Sequence, residues 1–316
     1  MKYSDWDKDR AGFSQLGLGT VALGMPYGLD NAHPPCDADC ITLIHRAMEA
    51  GIHYIDTASA YGRSEELVGK ACASTPFEPV VCTKITVLPE GDAPSLIPNF
   101  KKQLEQSRHL LGLDTLPLVK LHSQQGAFTF PALFEAMIHF SELGWVDRWG
   151  VSTYGLAAPL HALSFPDVFT ALQVPYNALD RSAASDLFPQ ARDAGIDIVV
   201  RSIFLQGLLS ESVNRRLPPT MSPLANALSI FRETAADAGL SPAELALRYV
   251  AYQEGIRVTL FGSTLIEELE QNLRFYEAGP LPADLIERIQ DIEVADRDLL
   301  NPGNWPPHYK RIGASR

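Results

Sequence analysis

Short apolar runs alternate with helical patterns along most of the chain, and this alternation constrains the fold more than any other feature. Helical spacing of apolar residues occupies residues 37–50, 64–73, 95–111, 131–143, 156–163, 184–194 and 241–253. Eight apolar runs lie between or beside these segments, at residues 16–20, 53–55, 80–83, 116–121, 148–151, 169–174, 198–200 and 258–261. The runs are apolar on both faces, as strands covered by helices on both sides must be. The sequence therefore predicts a (β/α)8 barrel, or TIM barrel, that forms a single domain over residues 1–316.

Five further segments lie outside the basic alternation of strands and helices. Residues 223–238 and 283–293 have helical spacing but exceed the basic count of helices. Residues 86–98 and 207–222 are interpreted as long loops on the C-terminal face, where a barrel carries its functional groups. The segment 300–316 contains Pro302, Pro306 and Pro307 and is expected to be irregular. Either Trp305 or His308 covers a pocket there, or the segment is a disordered tail.

Charge and cysteine content exclude several classes of protein. The chain carries 26 Lys and Arg against 38 Asp and Glu, a net charge of −12, and has no basic run, so we expect no nucleic-acid partner. Residues 1–10 lack the apolar stretch of a secretory signal, and no apolar run approaches membrane-spanning length. A cytoplasmic protein without a membrane partner is expected. Cys36 and Cys40 have a separation that could serve a metal, but no second Cys or His pair follows at zinc spacing, so we expect no metal site.

Polar side chains follow three of the apolar runs, at the point where each predicted strand ends. Asp56 and Tyr61 follow the second run, Lys84 the third and His122 the fourth. Because the carboxyl ends of parallel strands meet on one face of a barrel, we expect these side chains to share a pocket. Tyr61 would be a general acid toward a carbonyl oxygen, assisted by the positive charge of Lys84. Asp56 would hold that lysine, and His122 would orient the substrate oxygen.

Each of these residues also has an ordinary structural interpretation. Tyr61 alone could be a surface aromatic residue, Asp56 a helix cap and His122 a core histidine. Lys84 is harder to explain in this way, because a buried ammonium group requires a partner such as Asp56. Cys82, two residues before Lys84, is expected to be a small buried side chain. None of the group supplies a hydride, so a reduction would need a cofactor.

Further motifs surround these residues in a fixed order. The segment 56–62 reads Asp-Thr-Ala-Ser-Ala-Tyr-Gly and is followed by Ser64 and Glu65. Gly-Leu-Gly-Thr stands upstream at 17–20, and downstream stand Gly-Val-Ser at 150–152, Leu-Gln-Val-Pro-Tyr-Asn at 172–177, Gly-Ser at 262–263 and Gln-Asn at 271–272. With these motifs the chain resembles the aldo-keto reductase family from the first strand to the last helix.

The resemblance implies a nicotinamide-dependent reductase of small aldehydes or ketones, with Asp56, Tyr61, Lys84 and His122 as its catalytic set. Ser152 and Gln173 match positions that hydrogen-bond the nicotinamide carboxamide. The adenosine end would be held by Gly262, Ser263, Thr264, Gln271 and Asn272. The other expected cofactor contacts are Gly19, Thr20, Asp56, Arg201 and Ser202, and the expected substrate contacts are Met25, Tyr27 and Phe204.

The first departure from the family's pattern lies at residues 201–207. Where family members carry Tyr-Ser-Pro-Leu, with an aromatic ring stacked on the nicotinamide, this chain reads Arg-Ser-Ile-Phe-Leu-Gln-Gly. The guanidinium plane of Arg201 can also stack on a ring, and its charge should disfavour the oxidised, cationic nicotinamide and shift the enzyme toward reduction. The run resembles a bacterial subgroup associated with polysaccharide or surface-sugar contexts, which indicates a sugar or sugar-derived aldehyde as substrate.

The second departure concerns the adenosine ribose. Family members that prefer NADP(H) commonly place Lys or Arg in the last strand-helix segment, where it meets the 2′-phosphate. Here residues 261–272 include no basic side chain and carry Glu267, Glu268 and Glu270. NAD(H) is therefore favoured, while NADP(H) stays open because distant loops or Arg274 could supply a cation.

Two other functions stay open at this point. Lys84 could be a Schiff-base nucleophile in an aldolase-like barrel, although an aldolase has no use for the adenosine-site motif. The protein could also be a nicotinamide-binding redox sensor that regulates a protein partner, as some relatives are regulatory subunits. The sequence predicts no particular oligomeric state.

Overall fold

Eight parallel strands form a closed barrel in chain order, with the eighth strand paired to the first. A computed structural model of the chain describes residues 15–29, 33–87, 93–122, 131–210, 217–306 and 309. The predicted (β/α)8 barrel is confirmed. Its strands are β1 (Leu16–Gly19), β2 (Tyr54–Asp56), β3 (Val80–Thr86), β4 (Leu118–His122), β5 (Trp149–Ser152), β6 (Phe169–Pro175), β7 (Asp197–Arg201) and β8 (Val258–Gly262).

Helices surround the barrel, and every predicted helical segment contains one. The α-helices of the described ranges are α1 (Val21–Gly24), α2 (Asp37–Glu49), α3 (Ser64–Ala73), α4 (Ala93–Leu111), α5 (Pro131–Glu142), α6 (Ala157–Ala162), α7 (Ser182–Asp193), α8 (Ser222–Asp237), α9 (Pro242–Ala251), α10 (Ile266–Glu277) and α11 (Ala283–Gln290). Helix α10 has no counterpart among the predicted segments. It buries Leu269, Asn272 and Leu273, and its partly buried Ile266, Phe275 and Tyr276 also pack against the core.

The two predicted extra helices are present as α8 and α11, which pack on each other while α8 also contacts α9. No helix in the described ranges is long and apolar enough to cross a membrane. A single domain over residues 1–316 stays a prediction, because residues 1–14 and 310–316 lie outside the described ones.

The predicted loop 86–98 is shorter than expected, because β3 extends to Thr86 and α4 begins at Ala93. Gln103 of α4 ties the two elements together, accepting a hydrogen bond from the backbone nitrogen of Thr86 at 2.8 Å and donating one to its carbonyl oxygen at 3.0 Å. Residues 88–92 lie outside the described ranges, as do residues 211–216 of the predicted loop 207–222.

An apolar layer fills the lower part of the barrel interior. It consists of Tyr54, Cys82, Leu118, Ala171, Val199, Val258 and Leu260. Every second side chain of a strand points to the same side, so the residues two positions further along form the next inward layer. That layer includes Asp56, Lys84, Lys120, Gln173 and Arg201. The barrel is therefore closed by apolar side chains below and carries a polar layer toward its C-terminal end.

Candidate active site

The four polar residues predicted from the strand ends come together at the C-terminal end of the barrel. The Nζ of Lys84 lies 2.5 Å from Oδ2 of Asp56 and donates a second hydrogen bond to the Thr57 carbonyl oxygen at 2.9 Å. The same Nζ lies 4.8 Å from the ring centroid of Tyr61. The rings of Tyr61 and His122 meet edge to face, with their centroids 5.9 Å apart.

Burial and charge act in opposite directions on the Asp56–Lys84 pair. Lys84 is 1% exposed and Asp56 is 4% exposed, so burial favours the neutral form of each. The two ammonium groups of Lys84 and Lys120 outweigh that effect and lower the pKa of Asp56 to about 2. The carboxylate in turn raises the pKa of Lys84 above its usual value, against the effect of burial. The pair is therefore ionised at neutral pH.

His122 is uncharged in the same surroundings. Burial is the largest cause, followed by the positive charges of Lys84 and Arg201, and together they lower the pKa of His122 to about 4. A neutral imidazole carries one N–H donor and one acceptor nitrogen. His122 can therefore offer a hydrogen bond to a nearby oxygen atom without adding a charge.

Lys120 is a further site residue that the sequence interpretation missed. Its side chain is fully buried, and its Nζ donates hydrogen bonds to the Tyr54 hydroxyl at 2.8 Å and to Oδ1 of Asp56 at 3.2 Å. A signal was available: Lys120 is a lysine inside an otherwise apolar run, two residues before His122 and thus on the same face. Its inward direction follows only from the closed barrel.

Gln173 and Ser152 connect to the same carboxylate. Gln173 donates from Nε2 to Oδ1 of Asp56 at 2.8 Å and accepts a hydrogen bond at Oε1 from the Ser152 hydroxyl at 3.0 Å. The neighbouring hydroxyl of Thr153 is buried and has no hydrogen-bond partner among the described residues. These polar atoms at the ends of β5 and β6 are suited to bind a polar ligand such as an amide.

Two glycines place the loop that carries Tyr61. A Cβ at Gly24 would lie 2.0 Å from the carbonyl oxygen of Tyr61, and a Cβ at Gly62 would lie 2.4 Å from that of Gly24. Gly62 also has a φ of 58°, which favours glycine. The close backbone contact therefore requires both glycines and holds Tyr61 above the Asp56–Lys84 pair.

Three buried hydroxyl groups join the ends of β1 and β2 to α3. The Ser64 Oγ lies 2.6 Å from the Thr20 Oγ1 and 2.8 Å from the Thr57 Oγ1, and Thr20 Oγ1 donates to the backbone carbonyl of Asp56 at 2.9 Å. Of these residues, the sequence predicted only Thr20 and Asp56 as site residues. These hydrogen bonds stabilise the backbone conformation on both sides of Asp56.

A cavity of about 480 Å³ runs from this cluster across β1 and β8 to α10. A volume of this size is typical of small-molecule sites. The predicted residues that line it are Gly19, Thr20, Tyr27, Asp56, Tyr61, Arg201, Ser202, Phe204, Gly262, Ser263, Thr264, Gln271 and Asn272. Lys84, His122, Ser152 and Gln173 contribute to the network at one end without lining the cavity.

Met25, predicted to contact the substrate, and Trp305, predicted to cover a pocket, are also not part of the lining. Met25 lies beside the Tyr61 loop, where its Cβ would be 3.3 Å from a Cβ at Gly62, and does not line the cavity. Trp305 is buried in the hydrophobic core, where its Nε1 donates to the Leu299 carbonyl oxygen at 2.7 Å, so it does not cover the cavity. His308, the other residue predicted to cover a pocket, lies outside the described residues.

Arg201 stacks on Tyr154 at the edge of the cavity. Its Cζ lies 4.2 Å from the Tyr154 ring centroid, and its Nη2 donates to the Thr153 carbonyl oxygen at 2.9 Å. The following loop has positive φ angles at three residues that are not glycine, namely Ser202, Leu205 and Gln206. Such angles cost energy and cluster at ligand-binding sites.

At the far end of the cavity, the three glutamates of α10 differ in position. Glu268 lines the cavity, and its Oε2 accepts hydrogen bonds from the Ser263 hydroxyl at 3.1 Å and the Thr264 backbone nitrogen at 3.2 Å. Glu270 instead pairs with Arg46 at 3.1 Å, and Glu267, which is exposed like Glu268, is not part of the lining. Among the described lining residues, Arg201 is the only Lys or Arg, and Arg274 is exposed outside the lining.

These features fit an elongated dinucleotide. Gly19 and Gly262 line the cavity, and a Cβ at Gly262 would have only the Gly19 carbonyl oxygen within 4 Å, at 3.6 Å. The backbone is therefore open to a ligand at this point, just before the N-terminus of α10, where helix dipole and free N–H groups favour phosphate. The polar atoms of Ser152, Gln173 and Thr153 lie near the other end.

The cysteines are free thiols in the described residues. Burial raises the pKa of the Cys82 thiol, so it remains protonated in the apolar layer below Lys84. No group of three or more His, Cys, Asp or Glu side chains in the described ranges could hold a metal ion.

Comparisons with known proteins agree with this geometry. The family model described as Aldo/keto reductase family matches residues 15–294. An NADH-specific methylglyoxal reductase of Escherichia coli is 27% identical over 297 residues, covering 82% of this chain and 89% of that protein. An uncharacterized oxidoreductase of Mycobacterium tuberculosis is 28% identical over 292 residues, covering 86% of this chain and 87% of that protein.

Two solved structures share the fold. A glycerol dehydrogenase from Gluconobacter oxydans has a TM-score of 0.73 at 24% identity, covering 90% of this chain and 92% of its own. An aldo-keto reductase from Bacillus halodurans in its holo form has a TM-score of 0.72 at 23% identity, covering 89% of this chain and 93% of its own. With the family model matching nearly the whole barrel, the chain belongs to the aldo/keto reductase family, a family of NAD(P)-dependent oxidoreductases.

Proposed function

We propose that this protein reduces a small aldehyde or ketone with NADH, and that Tyr61 is the general acid. The observation that carries the proposal is the position of Tyr61, which lines the cavity while the ammonium group of Lys84 lies 4.8 Å from its ring centroid. That ammonium group is paired with Asp56. A phenol supported by a cation suits proton delivery to a carbonyl oxygen.

The catalytic roles follow from charge. A bound reduced nicotinamide supplies the hydride. Tyr61 gives its hydroxyl proton to the carbonyl oxygen, and Lys84 stabilises the negative charge that remains on the phenol oxygen. Asp56 keeps Lys84 in place and protonated. His122, which is neutral, donates a hydrogen bond that orients the substrate oxygen.

The remaining cavity residues would hold the cofactor. Ser152 and Gln173 would bind the nicotinamide carboxamide, and Arg201, whose guanidinium group also contacts Tyr154, would contact the nicotinamide ring. The backbone at Gly19 and Gly262 admits the diphosphate region. The remaining cofactor contacts are Thr20, Asp56, Ser202, Ser263, Thr264, Gln271 and Asn272.

The preference for NADH is supported by charge at the adenosine end. Glu268 is the acidic residue of the lining there, and the described lining has no cation nearby to meet a 2′-phosphate. A carboxylate can instead accept hydrogen bonds from ribose hydroxyls. The Escherichia coli relative at 27% identity is named as NADH-specific.

We further propose an oxygen-rich substrate, a sugar or sugar-derived aldehyde. Its support is the segment 201–207, which lines the cavity with Arg201, Ser202, Phe204 and Gln206 and so mixes polar and aromatic groups. Tyr27 lines the same cavity as a second aromatic residue. The names of two similar proteins, a methylglyoxal reductase and a glycerol dehydrogenase, also refer to small oxygenated compounds.

The aldolase alternative is not supported by the site. A Schiff-base lysine must lose its proton, whereas Asp56 raises the pKa of Lys84. A redox sensor remains distinguishable by experiment, because it would bind cofactor and leave every member of a broad aldehyde panel unreduced.

The substitution Tyr61→Phe tests the function. Turnover is measured with NADH and a panel of aldehydes, as the loss of the absorbance of reduced nicotinamide at about 340 nm. We expect turnover to fall by a factor of about 10² to 10⁴. Binding of NADH, followed by fluorescence, should be unchanged. Tyr252→Phe is the matched control, because that phenol is 38% exposed and lies outside the cavity lining. Unchanged turnover in Tyr61→Phe would refute the assignment.

A further inference from the structure

Lys120 is a fully buried cation to which the proposed mechanism gives no role. It lies in the middle of β4, with its Cα opposite Lys84 of β3 on one side and Gly150 of β5 on the other. A Cβ at Gly150 would lie 2.6 Å from the Ala171 carbonyl oxygen and 3.2 Å from Cγ of Lys120, so Lys120 lies in a tightly packed part of the barrel interior.

The ammonium group of Lys120 has two partners. It donates to the Tyr54 hydroxyl at 2.8 Å and to Oδ1 of Asp56 at 3.2 Å. Lys84 binds the other carboxylate oxygen of Asp56. Among the described residues, Asp56 is the only carboxylate in salt-bridge contact with either lysine.

One positive charge is therefore in excess beneath the cavity. Burying a second ammonium group beside one carboxylate costs desolvation free energy. For stability alone, an apolar residue at this position would serve better. The other titratable or charged groups around the two lysines are Tyr54, Tyr61, Glu65, Cys82, His122 and Arg201. Glu65 is itself bound by the Thr83 hydroxyl at 2.6 Å.

We propose that Lys120 is a positioning residue that takes up part of the negative charge of Asp56, so that Lys84 keeps effective positive charge beside Tyr61. This inference rests on the proposed role of Tyr61 as general acid. As the proton leaves, negative charge forms on the phenol oxygen, and Lys84 stabilises it more strongly when Asp56 is shared. Without Lys120, Asp56 neutralises Lys84 alone.

The test compares loss of charge with loss of contact. Lys120→Met removes the ammonium group, and Lys120→Gln removes the charge while retaining a side chain that can hydrogen-bond to Tyr54 and Asp56. Tyr54→Phe is the control, because it removes a partner of Lys120 and leaves the ammonium group. The kcat and KM of aldehyde reduction are measured across pH for each variant, with NADH as reductant.

For both Lys120 variants we expect kcat to fall about tenfold and the alkaline limb of the kcat profile to move up by about one pH unit, with the KM for NADH unchanged. Tyr54→Phe should keep the wild-type alkaline limb. Should Lys120→Met fail to fold, Lys120→Gln alone makes the same comparison.

An alkaline limb that stays at the wild-type position in the Lys120 variants, while Tyr61→Phe is inactive, would overturn this inference and leave the proposed function standing. A shift of equal size in Tyr54→Phe would overturn it as well, because contact rather than charge would then matter. Full activity of Tyr61→Phe would instead remove the proposed function itself.

Discussion

The side-chain amide of Gln173 donates a hydrogen bond to Oδ1 of Asp56 at 2.8 Å, although the two residues are 117 positions apart in the chain. Through Ser152, which donates to the same amide at 3.0 Å, the ends of β2, β5 and β6 are joined in one network. The residues proposed to hold the nicotinamide and those proposed to deliver the proton are therefore physically connected. The predictions below test the parts of this arrangement separately.

Asp56→Asn should strongly destabilise the fold. The change leaves the buried ammonium groups of Lys84 and Lys120 without a counter-charge, and breaking a buried pair in this way costs about 3–5 kcal/mol. Urea unfolding gives the free energy. Asp237→Asn is the control, because its pair with Arg288 has side chains 66% and 46% exposed and should matter by less than about 1 kcal/mol. If the two variants lose the same free energy of unfolding, the stabilising role of the buried Asp56 carboxylate is contradicted.

The pH dependence of stability should show the depressed pKa of His122. Its pKa in the folded protein is about 4, below the ordinary 6.5, so the unfolded chain takes up a proton at a higher pH than the native one. The stability linked to this group is present above about pH 6.5 and is lost as pH falls toward about 4, by about 3 kcal/mol. His122→Gln should lose less stability over that window than the wild type. If the stability of His122→Gln and that of the wild type fall in parallel with pH, the low pKa of His122 is contradicted. As a control, replacing the exposed His139 by Gln should leave the pH dependence of stability as in the wild type.

Arg201 should set the preference between oxidised and reduced cofactor. Its guanidinium lines the cavity, and positive charge beside the nicotinamide weakens binding of the cationic oxidised form. We expect the wild type to bind NADH more tightly than NAD⁺, and Arg201→Met to reduce that ratio by about tenfold, which corresponds to about 1.4 kcal/mol. Tyr154→Leu keeps the charge and should keep the ratio. Tighter binding of NAD⁺ than of NADH by the wild type, measured by titration calorimetry, would exclude this role.

Glu268 should discriminate against NADPH. Its carboxylate lines the adenosine end of the cavity, so replacing it by the neutral Gln removes repulsion of a 2′-phosphate. In fluorescence titrations, Glu268→Gln should improve the Kd for NADPH by about tenfold and change that for NADH much less. Glu267→Gln, in the same helix but outside the cavity lining, should change neither Kd. A wild-type protein that binds NADPH far more tightly than NADH would refute the preference at the outset.

Much of the fold could be predicted from local patterns. The strands at 53–55 and 80–83 are short, yet their apolar composition and the helices that follow them identify parallel strands in a barrel. Helix α10 was not predicted, although Ile266, Leu269, Leu273 and Tyr276 recur at helical spacing along it and pack against the core. The loop predicted at 86–98 was too long, because contacts of Gln103 with Thr86 stabilise the region in a way that residue type does not reveal.

The sequence by itself determined the barrel and the grouping of Asp56, Tyr61, Lys84 and His122, because the carboxyl ends of parallel strands must meet on one face. Only the tertiary structure decided that Lys120 shares Asp56, that Arg201 stacks on Tyr154, and that Glu268 rather than Glu267 or Glu270 lines the cavity. The physical reason is distance along the chain. Contacts such as that of Lys120 with Asp56, 64 positions apart, depend on how the closed barrel directs each side chain inward, and local patterns do not encode that direction.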